Sequence, residues 1–109
     1  MSFKVQNTDR FAKELKRLVK KYPSLKSEFV DLVLSLEKNP IQGSPVGGGF
    51  YKIRISIASK GKGKSGGARV ITYVKIIDEV VYLATIYDKS EKEDIEKSEL
   101  NEILQSFLK

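Results

Sequence analysis

The side chains best suited to chemistry in this sequence are cationic, and they share one stretch of chain that has no carboxylate. Between Lys38 and Ile77 the sequence contains no Asp or Glu, and its cations are Lys52, Arg54, Lys60, Lys62, Lys64, Arg69 and Lys75. Each Lys or Arg that displaces a condensed counterion from a phosphate backbone favours binding. The stretch therefore predicts contact with nucleic acid, and its guanidinium groups could also stabilise a charged phosphate transition state.

Composition restricts what else these cations could work with. The chain has no histidine and no cysteine, so the commonest general base, disulfides and thiolate metal sites are all absent. Catalysis must then use Lys, Arg, Tyr or carboxylates, and we expect no metal and no other cofactor. The carboxylates concentrate after the basic stretch, at Asp88, Glu91, Glu93, Asp94, Glu96, Glu99 and Glu102. This acidic segment is either a solvated, charge-mixed helix or a surface that orients the basic face or meets a partner.

The length and hydropathy of the chain are typical of a small globular protein. Its 109 residues and 12.3 kDa predict a single domain over residues 1–109. No apolar run approaches the ~18 residues that cross a bilayer, and no signal-peptide core is present. We therefore expect a cytoplasmic protein without a membrane partner.

Two helices are predicted before the basic stretch, after a short edge strand at residues 3–6. Thr8 is suited to cap the first helix, which ends near Lys21, and Pro23 breaks the chain. Ser24 is predicted to cap a second helix, which ends at residues 39–40. Both helices have apolar residues at helical spacing, which are Phe11, Leu15, Leu18 and Tyr22, followed by Leu25, Phe29, Leu32, Val33 and Leu36. The tight connection predicts an antiparallel helical hairpin.

The basic stretch itself is predicted to be mostly strand. Residues 41–49 are expected to form a loop, and residues 50–58 alternate so that Lys52 and Arg54 emerge side by side on one face. Further strands are predicted at 68–77 and 80–87 with a turn at 78–79, followed by a last helix from about Ser98. The expected fold class is α+β, a helical hairpin packed on an antiparallel sheet, with the helices on one face of the sheet.

The lysine loop between the first two of these strands contains a permissive P-loop pattern at residues 58–65, with Ala in place of the first Gly. A phosphate-binding P-loop needs a helix directly after its Lys, but here a β-patterned run follows, so we reject a nucleotide site. Lys60, Lys62 and Lys64 alternate with glycine, and we predict that they contact RNA or the ribosome together with Lys75. Among the tyrosines, Tyr87 is the best candidate for a functional role, because it ends its strand where core gives way to surface.

The order of these elements, with the residue runs 51–55, 63–73 and 81–92, resembles the RelE/ParE toxin superfamily, and most closely the RelE/HigB-like branch of bacterial type II toxin–antitoxin systems. The resemblance covers nearly the whole chain and is most specific from Lys52 to Lys92. It implies a microbial RNase fold and an endoribonuclease that enters the ribosomal A site and cuts mRNA there. It also implies a cognate antitoxin as partner, with the ribosome and mRNA.

The resemblance also assigns residues. The family's basic strand pair falls on Lys52 and Arg54, its next-strand arginine on Arg69, and its motif after the last strand on residues 88–91, with Lys89 as the functional member. The sequence departs from RelE where the family has an arginine after that lysine and a tyrosine near the C-terminus, because Ser90 and about Glu96 stand there. Tyr87 is the only nearby phenol.

These residues suggest a mechanism and leave alternatives open. Arg54 and Arg69 would stabilise the phosphorane, Lys52 would accept the proton of the attacking 2′-OH, and Lys89 or Tyr87 would protonate the leaving 5′-oxygen. The alternatives are a ParE-like topoisomerase poison and an RNA-binding module that cuts nothing. Codon preference, antitoxin class and oligomeric state are left open.

Overall fold

The computed structural model describes residues 2–60 and 66–107, which form one five-stranded sheet and three helices. In chain order the elements are β1 (Lys4–Asn7), α1 (Asp9–Lys21), α2 (Leu25–Lys38), β2 (Ser44–Gly47), β3 (Phe50–Ile55), a 3-10 turn (Ala58–Lys60), β4 (Ala68–Lys75), β5 (Val80–Asp88) and α3 (Lys97–Phe107). The α+β prediction is confirmed. None of the helices in these described residues is long and apolar enough to cross a membrane.

The sheet is mixed, with strand order β1-β5-β4-β3-β2. Strands β2 to β5 pair antiparallel with their neighbours, as expected, but β1 runs parallel to β5. The prediction of a purely antiparallel sheet is therefore wrong for this edge. The four residues of β1 pair with a strand more than 70 positions later, from Lys4 opposite Val80 to Asn7 opposite Leu83. Its direction depends on that distant pairing, which local periodicity does not encode.

The predicted loop at 41–49 is partly wrong, because it contains the edge strand β2. Pro45 lies opposite Tyr51 of β3, and the register shifts between Pro45 and Gly47. Proline lacks a backbone donor and is tolerated in a sheet mainly at an edge or a bulge. Gly47, Gly48 and Gly49 then all adopt positive φ to turn the chain into β3.

The first two helices form where the apolar spacing predicts them. Thr8 caps α1, and its hydroxyl accepts a hydrogen bond from the Phe11 backbone N–H at 3.2 Å. Ser24 precedes α2 but has helical backbone angles and makes no capping bond, so its predicted capping role is wrong. Its hydroxyl instead lies 2.8 Å from that of Ser59 and ties the helix to the 3-10 turn after β3.

The sheet separates two apolar clusters. On one face, α1 and α2 cover residues such as Ile53, Val70 and Leu83. On the other face, Leu100 and Ile103 of α3 pack with Phe50, Ile71, Ala84 and Tyr87. The expectation that all helices share one face is therefore wrong. Since side chains alternate along a strand, Lys52 and Arg54 lie on the same face as Phe50, which is the face that α3 partly covers.

Candidate active site

Three of the predicted site residues form a row across the three central strands, close to one end of each strand. Arg54 of β3 lies opposite Arg69 of β4, and Arg69 lies opposite Tyr87 of β5. Directly opposed residues in antiparallel strands have Cβ atoms about 4.5–5.5 Å apart, so the row spans about 10 Å. We call Arg54, Arg69 and Tyr87 the cationic row. Its members come from three separate strands, and the sheet register alone brings them together.

The two arginines of the row differ in exposure. Arg54 is exposed, whereas Arg69 is only 5% exposed and donates from Nη1 to the carbonyl oxygen of Ala68 at 3.2 Å. An arginine keeps its charge when it is buried, and its planar guanidinium presents donors in a fixed geometry. The pair therefore presents one fixed and one more mobile guanidinium group to any phosphate that binds between them.

Tyr87 is the most unusual member of the row. Its side chain is 6% exposed, and its hydroxyl has no hydrogen-bond partner among the residues that the structure describes. Burial, aided by the Asp94 carboxylate, raises the pKa of Tyr87 to about 12 against the opposing effect of Arg69. The phenol therefore stays protonated at neutral pH, where it can donate a proton but cannot accept one.

Lys52 lies on the same face, two residues before Arg54 on β3. Its ammonium is 3.3 Å from the Asp94 carboxylate, which belongs to the segment between β5 and α3. The ammonium of Lys52 is therefore engaged with a carboxylate of its own chain. While this pair is intact, Lys52 contacts Asp94 and not a phosphate or a 2′-OH group.

The remaining predicted contact residues are not all brought to the row. Lys89 follows β5, and its ammonium donates to the Glu93 carbonyl oxygen at 3.0 Å. Lys75 pairs with Asp78 at 3.0 Å and lies six residues from Arg69 on β4, about 20 Å away along the strand. Lys62 and Lys64 fall outside the described residues.

Lys60 is held in a buried cluster that sequence reasoning missed. Its ammonium pairs with the fully buried carboxylate of Asp88. The same carboxylate accepts hydrogen bonds from the Tyr22 hydroxyl at 2.8 Å and from the Ser90 backbone and hydroxyl at 3.0 and 2.8 Å. We call Lys60, Asp88, Tyr22 and Ser90 the Asp88 cluster. It joins the end of α1 to the ends of the 3-10 turn and β5. Because side chains alternate along β5, the cluster lies on the sheet face that α1 and α2 cover, opposite to the face of the cationic row.

Burial alone would raise the pKa of Asp88, but Lys60 and the hydrogen bonds from Ser90 and Tyr22 hold it well below its usual value. The carboxylate is therefore ionised throughout the physiological range. The family motif at residues 88–91 contains Asp88 and Ser90, but the partners Lys60 and Tyr22 are 28 and 66 positions away, so the sequence does not show the cluster. No group of three or more His, Cys, Asp or Glu that could hold a metal ion occurs in residues 2–60 and 66–107.

The fold and this row define a small α+β protein whose sheet presents cations and a phenol on one face. A family model described as the RelE toxin of the RelE/RelB toxin–antitoxin system matches residues 3–107. The chain therefore belongs to the RelE toxin family, and the predicted resemblance is confirmed at that level.

Solved structures agree on the fold. An arginine-substituted variant of the Escherichia coli toxin RelE in its free state superposes with a TM-score of 0.65 at 16% identity, over 99% of this chain and 100% of that one. The toxin–antitoxin complex RelBE2 of Mycobacterium tuberculosis contains a chain with a TM-score of 0.60 and 15% identity, over 81% and 99% of the two chains. A metal-bound toxin from Helicobacter pylori gives 0.52 and 18%, over 83% and 98%.

Proposed function

We propose that this chain is the toxin of a type II toxin–antitoxin system and that it acts as a metal-independent endoribonuclease on mRNA in the ribosomal A site. Membership of the RelE family supports the toxin role. The observation that carries the chemistry is the cationic row, in which two guanidinium groups and a protonated phenol lie in adjacent positions on three strands. This combination supplies charge stabilisation and a proton donor without a metal.

In the proposed reaction the 2′-oxygen of one nucleotide attacks the adjacent phosphorus. The new 2′-O–P bond forms as the P–O5′ bond breaks, and the products carry a 2′,3′-cyclic phosphate and a 5′-OH. Arg54 and Arg69 donate hydrogen bonds to the non-bridging oxygens, where negative charge builds in the transition state. Tyr87 gives its proton to the leaving 5′-oxygen, and Lys89 is the alternative donor.

Lys52 is the proposed acceptor of the 2′-OH proton, on the condition that Asp94 moves away first. Without that carboxylate the Lys52 amine can face the substrate, two residues from Arg54 on the same strand. Each positioned donor contributes roughly 10²–10³ in rate, and general acid–base catalysis contributes roughly 10²–10⁴. Loss of one arginine should therefore lower cleavage at least about a hundredfold.

The proposed partners are a cognate antitoxin, the ribosome and its mRNA, and the proposed location is the cytoplasm. The single domain predicted for residues 1–109 is part of this proposal. For RNA contact we retain Lys52, Lys89 and the two lysines outside the described residues. We leave out Lys60, whose ammonium is engaged with buried Asp88, and Lys75, which lies at the far end of β4.

The test is cell-free translation of a defined mRNA with added protein, with new 5′ ends mapped by primer extension. Arg69→Ala and Arg54→Ala are compared with Lys16→Ala, which removes the same charge from an exposed position on α1. We expect in-frame cuts that require ribosomes, persist in Lys16→Ala and disappear in both arginine variants. Intact mRNA with the wild-type protein would contradict the proposal. Protein that binds RNA without cutting would indicate a binding module, and DNA damage without mRNA cleavage would indicate a topoisomerase poison.

A further inference from the structure

The segment between β5 and α3, residues 89–96, lies over the site and is here called the strap. Tyr87 packs in a cluster with Leu100 and Ile103 of α3, and Ile95 of the strap packs against the same cluster. The ammonium of Lys92 in the strap lies 5.5 Å from the centre of the Tyr87 ring. The strap and α3 together bury the phenol that the proposed reaction needs.

The strap and α3 bury the hydroxyl of Tyr87 without giving it a hydrogen bond. A buried hydroxyl without a hydrogen bond is unfavourable relative to one that is bonded or hydrated, and this one has no partner among the described residues. The cost is removed if the cover opens and the hydroxyl meets water or a substrate oxygen. The covered arrangement is therefore a resting state for Tyr87 and not its working state.

Ion pairs fasten the strap at three points. Glu91 binds Arg17 at 2.7 Å and Lys21 at 3.3 Å, both on α1. Glu99, in the first turn of α3, binds Arg10 of α1 at 2.5 Å and Lys92 of the strap at 2.6 Å. The third point is the pair between Asp94 and Lys52 at 3.3 Å.

The third point lies inside the proposed site. Asp94 presents a carboxylate to Lys52, in a position where a substrate phosphate would be attracted by the same ammonium. Each pair is at least partly exposed, and such pairs contribute little individually, so the strap is held by several weak contacts that can be exchanged for others. A polyanionic substrate offers the displaced cation an equivalent partner.

We propose that the strap is an intramolecular latch, with Asp94 as an internal substitute for substrate phosphate, and that RNA binds by displacing it. Opening exposes Tyr87 beside the arginines and removes from Lys52 the carboxylate that occupies its ammonium. That RNA displaces the strap follows from the charges and burial of these residues. That opening prepares the site for cleavage rests on the proposed function.

Two variants weaken the latch without removing a cation from the site. Asp94→Asn removes the ion pair with Lys52. Glu99→Gln removes the ion pairs of Glu99 with Arg10 and Lys92 and leaves the pair between Lys52 and Asp94 in place. Asp78→Asn is the matched control, because it removes one negative charge and the Lys75–Asp78 ion pair at the hairpin between β4 and β5. All three variants raise the net charge by one, so a gain in RNA affinity that comes from net charge alone is shared by all three.

Opening is measured by amide hydrogen exchange of peptides within 89–107, and binding by fluorescence anisotropy with a 2′-O-methyl RNA decamer, which lacks the attacking hydroxyl. For Asp94→Asn and Glu99→Gln we expect faster exchange in 89–107, unchanged exchange in β4, and RNA affinity about two- to fivefold above that of Asp78→Asn, as the loss of partly exposed ion pairs implies. Affinity equal to or below that of Asp78→Asn for both variants would overturn the latch.

The same experiment separates the latch from the endonuclease. If the variants open and bind RNA more tightly while no form of the protein cuts mRNA on ribosomes, the latch stands and the proposed reaction fails. If wild-type protein cuts mRNA but neither variant gains affinity over Asp78→Asn, the reaction stands and the latch fails.

Discussion

Arg54 and Arg69 lie directly opposite each other near the end of β3 and the start of β4, so two cations occupy one cross-strand pair. Like charges in directly opposed positions destabilise a sheet, by an amount comparable to the roughly 0.2–1 kcal/mol that favourable pairs contribute. A phosphate placed between the guanidinium groups would convert this repulsion into two favourable interactions, so the pair is suited to bind an anion.

Arg54→Gln should therefore separate stability from activity. Removing the exposed member of the pair relieves the repulsion, and we expect the free energy of unfolding to rise by up to about 1 kcal/mol, measured by urea denaturation. Cleavage on translating ribosomes should fall at least about a hundredfold. Arg54→Lys is the control, because it keeps the charge and loses the bidentate fork. It should lose most of the cleavage and gain no stability, and an active Arg54→Lys would exclude bidentate phosphate binding at this position.

Tyr87→Phe should also stabilise the protein. The variant removes a buried hydroxyl without a partner among the described residues, so the free energy of unfolding should rise by about 1 kcal/mol. Cleavage should fall by about 10²–10⁴ if the phenol is the proton donor. Because the pKa of Tyr87 is raised to about 12, the donor stays protonated at every pH normally used for translation assays. Wild-type cleavage by Tyr87→Phe would transfer the donor role to Lys89, which Lys89→Ala would then test.

The sequence correctly predicted the helices and strands that depend on local pattern. The predictions were wrong where contacts between residues distant in sequence determine the structure. Alternation along β3 placed Lys52 and Arg54 on one face correctly, because side-chain direction in a strand has a period of two. Apolar periodicity likewise located all three helices. The direction of β1 and the side of the sheet that α3 covers depend on tertiary packing, and neither is encoded in a local period.

The same distinction applies to the site. Arg54, Arg69 and Tyr87 were predicted individually, and only the register between strands shows that they form a row. Lys60 was grouped with the loop lysines because charge composition alone cannot show a buried partner. Asp88 was predicted as part of an acidic segment and of the motif at residues 88–91, and only the fold shows that it lies at the centre of a buried cluster.

Gly67→Ala should destabilise the start of β4. A Cβ atom at Gly67 would lie 2.1 Å from the carbonyl oxygen of Ile55, a distance that only backbone movement can relieve. Forced overpacking of this kind costs typically about 1–3 kcal/mol, and the unfolding midpoint in urea should fall accordingly. Gly48→Asn is the control, because a Cβ atom there would meet only the Phe50 ring, at 3.9 Å, and asparagine tolerates its φ of 63°. An equal loss in both variants would show that glycine backbone freedom, and not close approach at Gly67, sets the cost.

Asp88→Asn should remove a contribution to stability that depends on pH. The folded protein holds the pKa of Asp88 below its unfolded value, which is about 3.9, so the unfolded state binds the proton more readily. The stabilisation is therefore fully present above the unfolded pKa and is lost as pH falls through the folded pKa. Near neutral pH the variant leaves the Lys60 ammonium without its buried carboxylate, and breaking such a pair costs about 3–5 kcal/mol.

The measurement is the free energy of unfolding in urea for wild type and Asp88→Asn from pH 7 down to pH 3. The difference should be constant from pH 7 to about pH 5 and should shrink below about pH 4, because wild type alone loses the contribution of the ionised Asp88. Tyr22→Phe serves as the companion variant, since it removes one hydrogen bond to the same carboxylate and keeps the charge pair. Its smaller loss, about 1.5–3 kcal/mol for a bond to a charged group, should stay nearly constant over this pH range, because both proteins keep Asp88 and lose its contribution together. If the free energies of unfolding of wild type and Asp88→Asn differ by the same amount at pH 7 and pH 3, Asp88 stabilises the fold by packing and not by its charge.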